Sequence, residues 1–182
     1  RFVVEPKEDK ATNEIFQAQQ YFQQAVDATE KNDSLYNLAL KGGEGKLGFL
    51  GVTEQYEGTA AGNLANYHAG MAYLNLGDFK NAITYLEKFK SDDAILKPIA
   101  LGAIGDALSE TNKVDDAIAH YKKAAEASEN DFTTPRYLLK AAQLYLTAGK
   151  KAEAHALFVE IKEKYETSKE GMNIDAFIAM TE

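Results

Sequence analysis

Apolar side chains recur every three or four positions through nearly the whole chain, which is the spacing of one face of an α-helix. Residues 13–29 show this spacing, and glutamines and charged residues separate the apolar positions. Residues 32–45 are polar and glycine-rich, which predicts a loop. Residues 46–55 form a weaker apolar segment that predicts a short helix, and residues 170–180 predict a terminal helix.

From residue 63 onward the helical pattern repeats itself. Alanines follow three aligned turn segments at intervals of 35 and 37 residues: Ala82, Ala117 and Ala154. Each turn contains a residue that tolerates left-handed backbone angles, namely Gly77, Asn112 or Gly149. Small residues before each turn allow the two helices to approach closely, and each pair leaves an apolar face that the next pair can bury. The pattern therefore predicts stacked antiparallel helical pairs.

The spacing of the turn residue, the alanine and the small pairs Ala69-Gly70 and Ile104-Gly105 resembles the tetratricopeptide repeat. The resemblance implies an all-α, right-handed α-solenoid with about three regular repeats. At the early tryptophan position of that signature the chain has Asn66, Leu101 and Leu138, and the closing proline is missing. The implied segments are a linker, an irregular N-terminal helical pair, three repeats and a capping helix: residues 1–12, 13–62, 63–96, 98–131, 135–168 and 169–182.

Prolines mark two of the predicted helix starts. Pro98 and Pro135 lie at the beginning of first helices, where a missing N–H group costs little. Thr134, directly before Pro135, is the predicted N-cap of its helix.

Composition and charge exclude several classes of function. The 182 residues are 45% hydrophobic and contain no cysteine, which excludes disulfides, thiolate metal sites and thiol chemistry. The net charge is −8 without any basic patch, so nucleic acid is not an expected partner. No apolar run reaches the roughly 20 residues of a membrane-spanning helix.

Residues with catalytic or metal-binding potential are sparse. The only histidines, His68, His120 and His155, lie in different predicted helices and lack metal-site spacing. Residues 42–47 are glycine-rich but depart from a phosphate-binding loop, because no Ser or Thr follows Lys46. We therefore expect no catalytic residues, no metal and no cofactor, with an enzyme of unrecognised site as the least favoured alternative.

The resemblance implies that first helices line a concave groove in which a peptide or partner protein binds. The groove is expected to be apolar and aromatic at one end, acidic at Asp106 and Glu110, and basic at Arg136 and Lys140. The alternative is that the N-terminal helix fills it. The predicted groove residues are Leu64, Tyr67, His68, Met71, Asn75, Asp106, Ser109, Glu110, Arg136, Lys140 and Gln143.

The order of segments also resembles bacterial envelope proteins of this repeat class, including the ancillary subunit family of the Sec translocon. That resemblance implies a scaffold on the periplasmic side of the inner membrane, held by an anchor of which residues 1–4 would be the end; a cytoplasmic location is the alternative. A further alternative is a structural subunit that oligomerises through exposed helices such as residues 13–29, using Phe16 and Phe22. Asn32-Asp33-Ser34 matches a glycosylation sequon, and a plain polar loop is favoured there.

Overall fold

The computed structural model describes the backbone of residues 4–182 and the side chains of residues 7–182. Within that range every regular element is helical, which confirms the all-α class. The chain divides into two compact units, Arg1–Lys90 and Ser91–Glu182. The first unit contains α1 (Val4–Asp27), α2 (Asp33–Lys41), α3 (Phe49–Gln55), α4 (Ala60–Leu76) and α5 (Phe79–Lys88). The second contains α6 (Leu96–Glu110), α7 (Val114–Glu126), α8 (Thr134–Thr147), α9 (Lys151–Lys164), a 3₁₀ turn (Gly171–Asn173) and α10 (Ile174–Ala179).

The turns that join α4 to α5, α6 to α7 and α8 to α9 have one common geometry. Gly77, Asn112 and Gly149 occupy the left-handed region, with φ of 80°, 60° and 75°. In each turn the next residue's N–H reaches back to a carbonyl of the preceding helix at 2.9 Å, as Lys150 does to Tyr145. This geometry satisfies carbonyls at the helix end that have no partner within the helix. The predicted turn residues are therefore confirmed.

Small residues hold the helices of each pair close together. Ala82, Ala117 and Ala154 are completely buried. A Cβ atom at Gly70 would lie 2.5 Å from Cγ of Leu86, so α4 and α5 approach more closely than an alanine would allow. The small residues thus allow the close helix approach that the sequence pattern predicts.

The core of the first unit extends well beyond its repeat-like pair. Buried side chains from four helices form it, and partly buried tyrosines and leucines pack around its edge. Its members are Ala11, Ile15, Ala18, Ala25, Tyr36, Ala39, Leu40, Phe49, Val52, Ala61, Ala65, Ala69 and Ala72. In the second unit, α10 closes the chain against α9, where Phe177 lies 5.2 Å from Phe158, centroid to centroid.

Two predictions about the N-terminal part were wrong. Residues 32–45 are not a loop, because Asp33–Lys41 is helical. Asn32 caps this helix by accepting a hydrogen bond from the Leu35 N–H at 3.2 Å, and Tyr36, Ala39 and Leu40 bury its apolar face. Residues 4–12 are not a linker, since α1 begins at Val4 and Ala11 is already part of the core. The remaining part of the predicted anchor end, residues 1–3, lies outside the described residues.

One helix start is also shifted. Thr134 is the first residue of α8 instead of its N-cap, and its side chain is buried. Its hydroxyl donates to the Ala125 carbonyl at 3.2 Å and accepts from the Asn130 N–H at 3.0 Å. The Asn130 side chain accepts from the Thr133 N–H at 2.7 Å, directly before the helix.

Candidate partner-binding surfaces

The residues predicted to line a groove fall in both compact units, and each set is described within its own unit. Five of them lie on α4 of the first unit: Leu64, Tyr67, His68, Met71 and Asn75. The other six lie on α6 and α8 of the second unit: Asp106, Ser109, Glu110, Arg136, Lys140 and Gln143.

In the first unit His68 is enclosed by aromatic rings from its own chain. Its imidazole stacks on Phe49 with 5.1 Å between ring centroids, and Phe22 meets it edge-on at 5.3 Å. Tyr67 also meets it edge-on, at 5.4 Å between ring centroids. Two of these rings come from α1 and α3, and His68 is half-buried among them.

Burial also decides the charge of His68. The Gln19 side-chain nitrogen lies 3.4 Å from Nε2, and Nδ1 is buried without a hydrogen-bond partner among the described residues. Burial lowers the pKa of this imidazole from its ordinary 6.5 to about 4. His68 is consequently neutral at pH 7, and protonating it would place an unpaired charge inside the core.

The N-terminal helix is fastened to α4 by polar contacts as well as by its apolar face. The Glu8 carboxylate accepts hydrogen bonds from the N–H groups of Ala60 and Ala61, at 2.8 and 2.9 Å. These two N–H groups begin α4 and have no partner inside the helix. Lys7 donates to the Glu57 carbonyl at 3.0 Å. Within the first unit, α1 therefore packs against the start of α4, and through Phe22 it also contacts His68.

The other α4 positions differ in exposure. Tyr67 is half-buried against Phe89, at 5.2 Å between ring centroids, and burial raises the pKa of its phenol. Leu64 packs against the core, and Met71 is half-buried. Asn75 is exposed, with its side-chain amide donating to the Met71 carbonyl at 2.9 Å.

In the second unit a polar network joins α6, α7 and α8. The Asp106 carboxylate accepts a hydrogen bond from the Tyr121 hydroxyl at 2.6 Å and from the Lys140 ammonium at 2.5 Å. The same ammonium lies 5.5 Å from the centre of the Tyr121 ring. Burial, together with the hydrogen bond and charge of Asp106, raises the pKa of the Tyr121 phenol far above its usual value. Tyr121 therefore stays a neutral donor to Asp106.

Two glycines of α6 make room for the rings of this network. Tyr121 and Tyr137 stack at 6.3 Å between centroids with their planes 14° apart. A Cβ atom at Gly105 would lie 2.6 Å from the Tyr121 ring, and one at Gly102 would lie 2.0 Å from the Tyr137 ring. The glycines thus allow both rings to lie directly against the α6 backbone.

The network changes the charge pattern expected from the sequence. Asp106 and Lys140 were expected to form separate acidic and basic regions, but they are bonded to each other. The Arg136 guanidinium lies 4.9 Å from the Phe132 ring centre, and Phe132 itself is 53% exposed. Glu110 and Gln143 are exposed, while Ser109 is half-buried.

Phe132 was not predicted as a surface residue of the groove, because it lies in the turn before α8, outside the helical register. The one available signal was a lone aromatic residue in a polar stretch, four positions before Arg136.

The two remaining histidines, and one carboxylate next to α6, have structural roles. His120 Nδ1 lies 3.0 Å from the Asp116 carbonyl one turn earlier, and His155 Nδ1 lies 2.8 Å from the Thr181 hydroxyl. Asp93 accepts from the Leu96 N–H, at the start of α6, and from the Ile95 N–H just before it, and these bonds lower the pKa of its carboxyl. Among the described residues, no three histidine or carboxylate side chains converge on a point where a metal ion could bind.

Comparison with known proteins identifies the repeats. A family profile described as the tetratricopeptide repeat matches residues 65–91 and 99–131, which correspond to α4 with α5 and to α6 with α7. The chain contains tetratricopeptide repeats. Together with the all-helical structure, this match confirms the predicted solenoid class of fold. A search of curated proteins found no match. Across the part of the chain that the structure describes, no helix is long and apolar enough to cross a membrane.

Proposed function

We propose that this chain is a non-catalytic scaffold that binds a partner protein on one face of its second unit. Tetratricopeptide repeats generally mediate protein–protein interactions, and the fold is typically non-catalytic. The surface we propose is the α6–α8 face, defined by Asp106, Glu110, Phe132, Arg136, Lys140 and Gln143. The observation that carries the proposal is the exposed Phe132 ring beside Arg136.

The arrangement of this face suits recognition. Arg136, Lys140 and Gln143 follow one another at intervals of four and three positions, which places them in a row along one side of α8. Phe132 lies in the turn before α8, where its ring contacts Arg136 at the start of that row. Aromatic and arginine side chains are enriched in protein interfaces. The Asp106–Tyr121–Lys140 network holds the middle of the row to the neighbouring helices, so a partner would meet a surface that is already ordered.

The chemistry of the face limits the partner. Asp106 and Lys140 largely neutralise each other, whereas Glu110 lacks an ion pair among the described residues. A matching segment would place an apolar side chain against Phe132 and a basic one near Glu110. The aromatic contact on this surface is Phe132, which was not among the predicted groove residues.

Site-specific photocrosslinking tests the proposal. A benzophenone amino acid at Gln143 should give a discrete adduct with a partner in cells, and the substitutions Arg136→Glu and Phe132→Ser should each reduce that adduct. The matched control is the same probe at Ala156, an exposed position on the second helix α9. Equal adducts at Ala156, or a Gln143 adduct unaffected by both substitutions, would exclude the α6–α8 face.

We further propose an envelope location, on the periplasmic side of the inner membrane, with a chaperone-like role near the secretion machinery. The support is the order of segments: an N-terminal helix, then the small-residue stretch 58–65, then the repeats. Protease treatment of intact spheroplasts tests the location, since a periplasmic domain is digested there. Protection from protease, with release into the soluble cytoplasmic fraction, would contradict it.

A second candidate function is assembly of this chain with copies of itself through α1. Phe16 and Val26 are 60% and 51% exposed there, which favours this candidate, whereas Phe22 is partly buried against Phe49, at 6.0 Å between ring centroids. Multi-angle light scattering tests it: an oligomer that dissociates in Phe16→Gln supports assembly through α1. A monomer at all concentrations contradicts it.

A further inference from the structure

The C-terminal helix α10 is the shortest α-helix that the structure describes, with six residues. Ile174 is buried, and the Phe177 ring lies 5.2 Å from the Phe158 ring of α9, centroid to centroid. Isolated helices shorter than about 12–15 residues are marginally stable in water. The helical form of α10 therefore depends on its contact with α9.

Two polar contacts also join α10 and the residues after it to α9. The Asp175 carboxylate lies 2.6 Å from the Lys162 ammonium, but these side chains are 78% and 51% exposed. Ion pairs as exposed as this one contribute little to stability. The Thr181 hydroxyl lies 2.8 Å from Nδ1 of His155. The attachment of α10 thus rests mainly on its apolar side chains.

The turn that precedes α10 is fixed by contacts of its own. The Ser168 hydroxyl donates to the Tyr165 carbonyl at 2.7 Å and accepts from the Gly171 N–H at 3.0 Å. A Cβ atom at Gly171 would overlap the Tyr165 carbonyl oxygen, so the turn is tightly closed. Asn173 lies just before α10, and its side chain caps no N–H group in the described helix. Backbone rotation at Met172 and Asn173 can therefore release α10 while the turn stays intact.

We propose that two copies of this chain exchange α10, which is a domain swap. In the swapped dimer, α10 of each copy lies on α9 of the other and makes the same contacts that it makes within one chain. Domain swapping needs little free energy because the exchanged element keeps its native contacts. Only the hinge at Met172 and Asn173 changes its conformation.

The chemistry of the α9 surface under α10 favours a second copy as the occupant. Phe158 offers an aromatic contact, and Lys162 offers a positive charge. The α10 segment supplies an aromatic ring at Phe177 and a carboxylate at Asp175. A second copy supplies the same groups at the same spacing, so it matches this surface as well as the chain's own α10 does.

An exposed methionine lies at the hinge. Met172 is 69% exposed, the highest value among the exposed large hydrophobic side chains that the structure describes. In a swapped dimer the two hinge segments run from one copy to the other, so they pass close together. Met172 of each copy can then lose exposed apolar surface, which favours the dimer.

The swapped dimer differs from a single chain in its number of binding faces. It carries two α6–α8 faces, so a partner with two matching segments would bind it with higher avidity. The swap itself does not depend on the proposed function, since neither α10 nor the hinge belongs to the α6–α8 face.

The test uses the full chain and its natural ion pair between Lys162 and Asp175. Unlabelled and ¹⁵N-labelled chains are mixed in equal amounts at high concentration, incubated and treated with a carbodiimide. This reagent joins an ammonium group directly to a carboxylate that it contacts. After digestion, mass spectrometry distinguishes Lys162–Asp175 cross-links whose two peptides carry one isotope from those that carry both. A swap places the two residues of one pair in different copies and so produces mixed-isotope cross-links.

The matched control is the ion pair between Lys164 and Glu160, at 2.9 Å, whose residues lie four positions apart on α9. Because both belong to one helical turn, a swap of α10 leaves them in the same copy. We expect the share of mixed-isotope cross-links to be at least about tenfold higher for Lys162–Asp175 than for this control.

Two variants locate the exchange. Met172→Gln should lower the mixed-isotope share at least about threefold, because the contact between the hinges loses apolar area. Phe16→Gln, on α1, should leave the share unchanged, which separates the swap from assembly through α1. Both positions are exposed, so neither substitution disturbs the core.

Three results would overturn the proposal. Equal mixed-isotope shares for the two ion pairs would show that α10 stays on its own chain. A dimer in light scattering without mixed-isotope Lys162–Asp175 cross-links would assign self-association to another surface. A share that falls as much in Phe16→Gln as in Met172→Gln would place the contact on α1. None of these results bears on partner binding at the α6–α8 face, which the crosslinks from Gln143 report.

Discussion

The two units present their repeat helices differently. In the first unit α4 is covered around His68 by α1 and α3, through aromatic rings and the Glu8 cap. In the second unit the corresponding helices α6 and α8 carry a polar network centred on Asp106, next to the exposed Phe132. One helical repeat can therefore support either an internally covered face or a rigid polar one, depending on a few side chains.

The largest loss of stability is expected from filling the space between Gly105 and the Tyr121 ring. Gly105→Ala would place a Cβ 2.6 Å from the Tyr121 ring, and we expect a loss of about 3 kcal/mol in the free energy of unfolding. Urea denaturation followed by circular dichroism measures it. In a Tyr121→Ala background the same change should cost much less.

The corresponding change in the first unit, Gly70→Ala, sharpens the comparison. Its Cβ would meet Leu86, an aliphatic side chain without polar partners, so we expect a smaller loss than for Gly105→Ala. Equal losses would mean that close helix approach alone, and not the network, sets the cost.

Lowering the pH should reduce the free energy of unfolding through His68. Its pKa is lowered to about 4 in the folded state and is near 6.5 in the unfolded state. The unfolded chain therefore binds the extra proton first, and the stability present above pH 6.5 declines as the pH falls towards 4, by up to about 3 kcal/mol. Urea unfolding of the unaltered chain at pH 7.5 and pH 4.5 measures the decline.

His68→Phe keeps a ring in the aromatic cluster but removes the titration, so it should flatten this part of the pH profile. His120→Gln is the control, because His120 lies outside the cluster on α7. If His68→Phe and the unaltered chain lost the same stability between these pH values, the burial argument for His68 would fail.

Neutralising the centre of the network should have an intermediate effect. Asp106→Asn keeps the shape of the side chain but leaves Lys140 without its partner, and we expect a loss of about 2 kcal/mol. Adding Lys140→Met should recover part of this loss. Glu163→Gln, an exposed change on α9, is the control for losing one carboxylate, and thermal unfolding compares the three variants.

The smallest effect is expected at the attachment of α1. In Glu8→Gln one of the two acceptor oxygens becomes an NH₂ group that cannot accept, and the other loses its charge, which together should cost about 1 kcal/mol. Hydrogen exchange of the Ala60 and Ala61 amides should become faster. The neighbouring change Asp9→Asn should leave both rates unchanged, and equal acceleration in both variants would argue against a specific cap.

Local features of the fold were predictable where a backbone conformation is adopted by few residue types. Gly77, Asn112 and Gly149 predict turns because few other residues adopt left-handed angles. The helix α2 was missed because Asn32, Asp33 and Ser34 also suit turns, and nothing local shows that its apolar side is buried against α1 and α4.

The sequence predicted which helices carry the residues of the candidate site, but not which of their side chains pair with each other. The repeat register places Asp106, Arg136 and Lys140 on first helices, as the structure does. The pairing of Asp106 with Lys140 joins residues 34 positions apart, and no spacing rule within a helix covers such a distance.

By itself, the sequence determined the helical class, the repeated turns and the small residues that let paired helices approach, because these depend on local backbone preference and on periodicity. Only the tertiary structure decided that His68 lies among aromatic rings and is neutral, and that Asp106 and Lys140 cancel each other. Those properties depend on which side chains from distant segments meet, and on how much water their meeting excludes.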